Sequence, residues 1–315
     1  MKAELENHSE GGELSHVADS IPGATFFHTA PWLDALGSAY GNFHVSWLTL
    51  RESGALVGAM PVVRCSRGPF HRLLSLPFGT YGDPLAPDAA SRLALLQSFF
   101  DLAASPWCVE ASANIFAAEE LGSPPKGVRV KAEECRVVSL EGGFDRAWSR
   151  ASSKRRQLSR RGEEAGVVVR PLESETELRR FHEIYREESR EWGGVHPYPF
   201  ELFRALFARR ADGVIVWGAF LDGSLLGAHI DLYRADMAQA WQGGMTARAK
   251  DYETGALLVK AAMEEACRRG MRIFNLGSSG GSRGILFFKE SLGGVEHRYE
   301  IWETSKGWWR LARGR

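Results

Sequence analysis

Residues 271–294 read MRIFNLGSSGGSRGILFFKESLGG, and the order of events in that stretch decides the fold. Ile273, Phe274 and Leu276 mark a buried strand. It runs into a glycine-serine loop with Gly277, Gly280, Gly281 and Gly284. A short apolar segment, Ile285 to Phe288, then delivers Lys289 before the chain turns at Gly293-Gly294. Glycines let backbone come close to a ligand and leave amides free to donate. A lone ammonium on an apolar segment is costly to bury unless it meets an anion. The stretch is therefore either a site that stabilises negative charge or a surface loop and helix whose lysine snorkels to water.

Upstream, the spacing predicts a helix from about Glu253 to Arg269. Before it come three strand-like runs, VIVWGAFL, LLGAHIDLY and MAQAWQG, with turns at Asp222-Gly223 and around Ala235. Helices near 174–192 and 199–210 carry Leu178, Phe181, Ile184 and Tyr185, then Phe200, Phe203 and Phe207, at helical spacing. The first half follows the same plan. Thr29 with Pro31 opens a helix, HVSWLTL and ALVGAMPVV form a hairpin around 51–54, LPFGTYGDPLAPD is loop, and residues 88–104 are helical. Trp47 to Leu50 followed by Gly54 to Ala59 aligns with Trp217 to Phe220 followed by Gly223 to Ala228, with one gap in the turn. That match points to an internal duplication, two α/β units with a ligand cleft.

Composition narrows the class. The 315 residues hold 39 basic and 39 acidic side chains, 44% apolar and 25% charged residues. These are the proportions of a globular protein with no global field toward nucleic acid or anionic membrane, so any such partner needs a local patch. Cys65, Cys108, Cys135 and Cys267 are scattered without metal-ligand spacing, which argues against structural zinc and a disulfide framework. The polar N-terminus lacks the regions of a signal peptide, and the apolar run near Val214 to Leu221 is too short to span a bilayer. The expected compartment is the cytoplasm, with contact at the inner membrane face left open.

The pattern YETGALLVKAAMEEACRRGMRIFNLGSS, then GILFFKESLGG, resembles the FemAB-like branch of the GNAT acyltransferase superfamily. Gly255, Ala266 through Gly270, Asn275-Leu276-Gly277 and Phe288-Lys289 carry the resemblance. FFHTAPWLDAL, LPFGTYGDPL and the basic segment SSKRRQLSRRGEEAGVVVR extend it over roughly 24–303. The resemblance implies an α/β fold of two tandem GNAT-like domains, each a mixed central sheet flanked by helices. Taken with the pattern along the chain, the expected division is a flexible leader at 1–22, a first GNAT-like domain at 23–145, a basic linking helix at 146–166, a second GNAT-like domain at 167–305 and a C-terminal tail at 306–315. It further implies transfer of an acyl or aminoacyl group to an amine on a cell-wall or envelope-polysaccharide precursor. The co-substrate is aminoacyl-tRNA or acyl-CoA, with no metal or tightly bound cofactor. An acyl-CoA enzyme acting on a small molecule and a non-catalytic binding module are the alternatives. One departure stands out: where GNAT enzymes cradle the CoA pyrophosphate with a glycine-rich loop, Arg248 to Gly255 keeps a single glycine.

In this frame Lys289 is the expected oxyanion donor and Phe288 shapes its pocket. His229 and Asp231 alternate along one strand and so share a face, His229 as a proton shuttle or both as structural wall. Gln242, Glu253, Asn275 and Arg283 are expected to face substrate, Glu253 having helix capping as its other reading. Tyr81 and His28 are the first unit's candidates, and Trp192, His196 and Tyr198 form an aromatic clamp or a plug between helices. Lys154, Arg155 and Arg156, with Arg160 and Arg161, present a phosphate-binding cluster or a solvated face balanced by Glu163 and Glu164. Lys306 to Arg310 either touch a membrane interface or pack back onto the domain.

Overall fold

The computed structural model describes residues 3–9, 14, 21, 23–118, 121–191 and 197–312. In chain order the elements begin with β1 (Ala3–Asn7), α1 (Ala30–Ala39), β2 (Phe43–Glu52), β3 (Ala55–Arg67), β4 (Phe70–Leu74), α2 (Ala89–Leu102), β5 (Cys108–Ile115) and β6 (Arg129–Ser139). They continue with α3 (Gly143–Ser149), α4 (Ser153–Glu164), β7 (Val168–Pro171), α5 (Glu175–Glu188), α6 (Phe200–Ala208), β8 (Val214–Leu221), β9 (Ser224–Arg234) and β10 (Met237–Met245). A 3₁₀ helix, Ala247–Tyr252, precedes α7 (Thr254–Arg268), β11 (Ile273–Asn275), α8 (Arg283–Ser291), β12 (Val295–Ser305) and α9 (Gly307–Ala312).

The chain divides into a first unit of residues 1–133 and 298–315 and a second of 134–297. In the first, the sheet runs β1-β2-β3-β4-β5-β12, antiparallel except for the parallel β4–β5 pair. Helix α2 covers one face, burying Leu95, Leu96 and Phe99 against Leu48, Met60, Ala111 and Trp302. In the second, the order is β6-β11-β10-β9-β8-β7, with β10–β11 parallel and the other pairs antiparallel. Helix α7 supplies Ala256, Val259, Ala262, Met263 and Ala266 to a core shared with Tyr233, Ala238, Phe274 and Leu276. Each unit is thus a mixed sheet with helices on it, the expected class.

The two hairpins behind the sequence duplication use one device. Ser53-Gly54 and Asp222-Gly223 both have positive φ at both positions (+50° and +86°; +50° and +75°), the turn whose twist matches paired strands. Both hairpins also slip register just before the turn, at Leu50/Arg51 and at Ala219/Phe220. A shared bulge at the same place is harder to reach by chance than a shared alternation.

The unit boundaries differ from those drawn on sequence. Residues 300–305 of β12 pair with β5 of the first unit, a long-range pairing that no local pattern announces. Ala3–Asn7, inside the expected leader, pairs with β2 from Asn7↔Ser46 to Ala3↔Leu50. The expected linking helix is two helices, α3 and α4, both in the second unit. Helix α4 lies close to the turn before α7: a Cβ on Gly162 would sit 2.4 Å from the Tyr252 carbonyl oxygen and 2.9 Å from Leu257 Cδ1. Gly162→Ala is therefore expected to destabilise the fold by about 1–3 kcal/mol through overpacking. Gly41→Ala, whose Cβ meets nothing within 4 Å, serves as the neutral control in urea unfolding of both variants.

Candidate active site

The site grows from a fork in the second sheet. Strands β10 and β11 pair only over Met237–Gln239 and Ile273–Asn275, after which β11 ends and β10 runs on. Strands that part leave ladder groups orphaned, and the buried Gln239 side chain fills the gap. Its Nε2 donates to the Ala240 carbonyl at 2.8 Å and the Asn275 carbonyl at 3.4 Å, while its Oε1 is buried without a partner. Beyond the fork β10 bulges against β9 between Ala240 and Gln242, so Trp241 is the extra residue.

The chain leaving β11 forms the glycine-serine loop. Asn275 Oδ1 accepts from the Gly277 amide at 2.7 Å, and Gly277, Gly280 and Gly281 all take positive φ. Ser282 then caps α8 by accepting from the Ile285 amide. That helix returns Lys289 to the loop. Its ammonium, half-buried, donates to the carbonyls of Gly277 at 2.9 Å and Ser278 at 2.7 Å. Burial and the neighbouring Arg136 push its pKa down to about 8, and Cys135 opposes the shift. The two carbonyls favour the charged form. Two of the three N–H groups are thereby used, and the third remains for an anion.

Phe288 packs over Gly255, its ring 3.5 Å from where a Cβ would stand, and the Arg155 guanidinium lies 5.0 Å from its centroid. Arg155 also donates to Ser291 Oγ at 3.0 Å and forms an ion pair with Glu253. This one side chain therefore ties α4 to the start of α7 and to α8. The phosphate-binding reading changes accordingly: Arg155 and Glu253 are committed to each other, and Arg156 donates to the Ser149 carbonyl. Lys154, Arg160 and Arg161 are exposed.

On β9, His229 Nδ1 and the Asp231 Oδ2 atom are 2.9 Å apart. Asp231 is fully buried, its Oδ1 has no partner, and burial pushes its carboxyl above the ordinary range against the pull of His229. An Nδ1–H donated to Asp231 leaves Nε2 as the lone-pair nitrogen, and Nε2 makes no hydrogen bond among the described residues. His229 sits on Gly243, where a Cβ would come within 2.7 Å of its Cδ2. Gln242 is half-buried, and Arg283 is exposed at the start of α8.

Tyr198 stacks on the bulge residue Trp241, with centroids 5.4 Å apart and planes within 7°. Its amide donates to the Tyr185 hydroxyl, and its carbonyl bonds His182 Nε2. Trp192 and His196, the other expected clamp residues, lie outside the described residues. Glu188, which the sequence reading missed, accepts from the Met245 amide at 2.9 Å, and burial raises its pKa. Nothing in its local pattern distinguishes it from the solvated glutamates beside it.

Three candidates prove to be internal. His28 is fully buried as part of a capping box: Nδ1 accepts from the Thr25 amide and Nε2 bonds the Asp83 carbonyl, with burial holding its pKa down. Both ring nitrogens are engaged, so neither is left for substrate. Tyr81, 3% exposed, packs among Phe27, Phe116 and Tyr299. Asn275 is fully buried and shapes the loop from beneath.

Residues 149–289 match the family model described as an acetyltransferase (GNAT) domain. No curated protein matches the chain in sequence. Among solved structures the chain is similar to FemX, with 11% identity, 94% of this chain and 96% of that one covered, and a TM-score of 0.73. It is also similar to the C-terminal domain of a protein described as a lysylphosphatidylglycerol synthetase from Agrobacterium fabrum, with 15% identity, 87% and 88% coverage, and a TM-score of 0.63. A tandem GNAT protein from the clavulanic acid biosynthesis pathway matches at 14% identity, 96% and 98% coverage, and a TM-score of 0.54. At such identities the likeness is one of fold.

Proposed function

With residues 149–289 matching the acetyltransferase (GNAT) domain model and the chain similar in fold to FemX, we propose that the chain transfers an aminoacyl group from tRNA to an amine of a cell-envelope precursor. The observation that carries the donor is the closed turn before α7. Arg248 to Gly255 stands where CoA-using relatives need open amides for a diphosphate. Here residues 247–252 are a 3₁₀ helix, and the Ala249 and Glu253 amides are bonded to the Thr246 and Lys250 carbonyls. Glu253, at the N-cap of α7, adds a carboxylate at the positive end of the helix dipole, where a diphosphate would otherwise be welcome. An ester donor needs no such cradle.

The chemistry follows from the site. The acceptor amine attacks the ester carbonyl, and the third N–H of Lys289 stabilises the oxyanion that forms. His229 Nε2 takes the amine's proton, with Asp231 holding the ring in the required tautomer. Collapse of the tetrahedral species breaks the C–O bond to the ribose, the ribose oxygen leaves as a hydroxyl with the proton that His229 Nε2 took, and an amide remains. The exposed cations Lys154, Arg160 and Arg161 on α4 give a phosphate backbone something to meet.

The test is incubation of the purified chain with charged tRNAs, acyl-CoAs and UDP-linked muropeptides, read by mass spectrometry. An amide product that disappears on RNase treatment is expected. Product that survives RNase and needs only acyl-CoA overturns the donor. Precursor binding with no transfer from either donor overturns the enzyme.

A further inference from the structure

One end of the first unit's sheet gathers side chains that a water-facing surface has no use for. Trp107 and Trp308 are 54% and 50% exposed, and Phe70 between them is 37% exposed. Their centroids lie 6.1 Å (Phe70–Trp107) and 5.4 Å (Phe70–Trp308) apart. These are the exposed tryptophans among the described residues, and they stand together although 200 residues lie between them in the chain. Trp309 behaves differently: it turns inward and donates to Glu110 Oε2 at 3.0 Å. An exposed aromatic cluster of this kind marks a contact surface.

The charge around it is mostly positive. Residues 64–72, 105–110 and 304–309 supply Arg64, Arg67, Arg72 and Lys306 against a single acid, Glu110. Glu110 is already held by Arg72 at 2.7 Å and by Trp309. Arg64 and Arg67 are exposed, and burial, with the Arg64 charge second, lowers the pKa of His71. Beside the cluster lies a cavity of about 540 Å³, lined by Phe43, Phe78, Arg67, Arg72 and Trp309 among others. Its walls are aromatic, its charged groups are guanidinium, and Arg72 Nε is buried there without a partner.

Tryptophan rings rest at the level of lipid headgroups, and arginine and lysine beside them are drawn to anionic lipid. We propose that this end of the first unit is a peripheral docking surface for an anionic phospholipid bilayer. Phe70, Trp107 and Trp308 enter the interface, and one lipid phosphate seats between Arg67 and Arg72. Acyl chains supply the apolar half of that occupant and phosphates the anionic half. No helix among the described residues is long and apolar enough to cross a membrane, so the contact lies on the bilayer rather than through it.

The test is flotation of the full chain with extruded vesicles of phosphatidylcholine alone or mixed equally with phosphatidylglycerol. Flotation needs no turnover, so its outcome is separate from that of the transferase reading. Wild type is expected to float with the anionic vesicles only, and to be released by high salt. The double variant Arg64→Gln/Arg67→Gln should weaken binding by about 25-fold, about five-fold for each cation removed. Trp107→Ala/Trp308→Ala should weaken it by about ten-fold through lost apolar burial. All four side chains are exposed, so unfolding curves of the variants should overlay wild type. Absence of flotation with anionic vesicles, or flotation that both double variants retain, overturns the proposal. So does tRNA binding at this surface, lost in the arginine variant, with vesicles ignored.

Discussion

Replacing Lys289 with methionine is expected to slow single-turnover transfer by about 10²–10³-fold, the usual cost of removing one oxyanion donor. Donor binding should change little, because the third N–H of Lys289 finds its partner only once the carbonyl oxygen becomes an anion. Methionine keeps the length and apolar bulk of the stem, so α8 should stay in place. The loop does lose two hydrogen bonds, from Lys289 Nζ to the Gly277 and Ser278 carbonyls. Lys289→Arg separates the two roles, since a guanidinium reaches the carbonyls and still offers a donor. An Arg variant as slow as the Met variant, with both fully folded, would mean that the shape of the ammonium matters. A Met variant with normal turnover would remove Lys289 from the chemistry.

The second large effect is expected at the His229–Asp231 pair. His229→Gln removes the group that takes the proton, and loss of a positioned base typically costs about 10²–10⁴ in rate. Asp231→Asn should cost activity for another reason. Its buried amide has no charge with which to hold Nδ1–H, so the ring is free to adopt the wrong tautomer. The two losses should therefore fail to add in the double variant, as for residues that act as one unit. Rapid-quench measurement of product at saturating donor reads this directly. Additive losses, or a His229→Gln variant at wild-type rate, would show that the pair only walls the strand.

How much of this was legible in sequence depends on the distance over which each feature is built. The hairpin turns, the helix start at Thr29 with Pro31, and the loop carrying Gly277 to Lys289 are local, and their residue types announce them. The shared face of His229 and Asp231 follows from strand alternation alone. Arg155 reads as one more cation in SSKRRQLSRR, because its partners lie 98 and 136 residues away. Gln239 shows nothing until two strands part beside it. His28 and Tyr81 look like ligands because polar loop residues often are, and packing around Asp83 and Phe116 takes them out of reach. Strand β12 is locally an ordinary strand, and its pairing with β5 is settled only by the finished sheet.

The depressed pKa of Lys289, about 8 against 10.5 unperturbed, has two consequences of definite sign. For stability, the unfolded chain holds this proton more tightly, so the group costs stability below about pH 8, and the cost fades as pH rises toward 10.5. For catalysis, the donor is lost as pH passes 8. The most direct test is the pH dependence of single-turnover transfer by wild type and by Lys289→Arg. A descending limb near pH 8 in wild type, absent from the Arg variant because guanidinium does not deprotonate in this range, is the predicted result. No descending limb near pH 8 in wild type, or a descending limb that the Arg variant retains, contradicts the role given to Lys289.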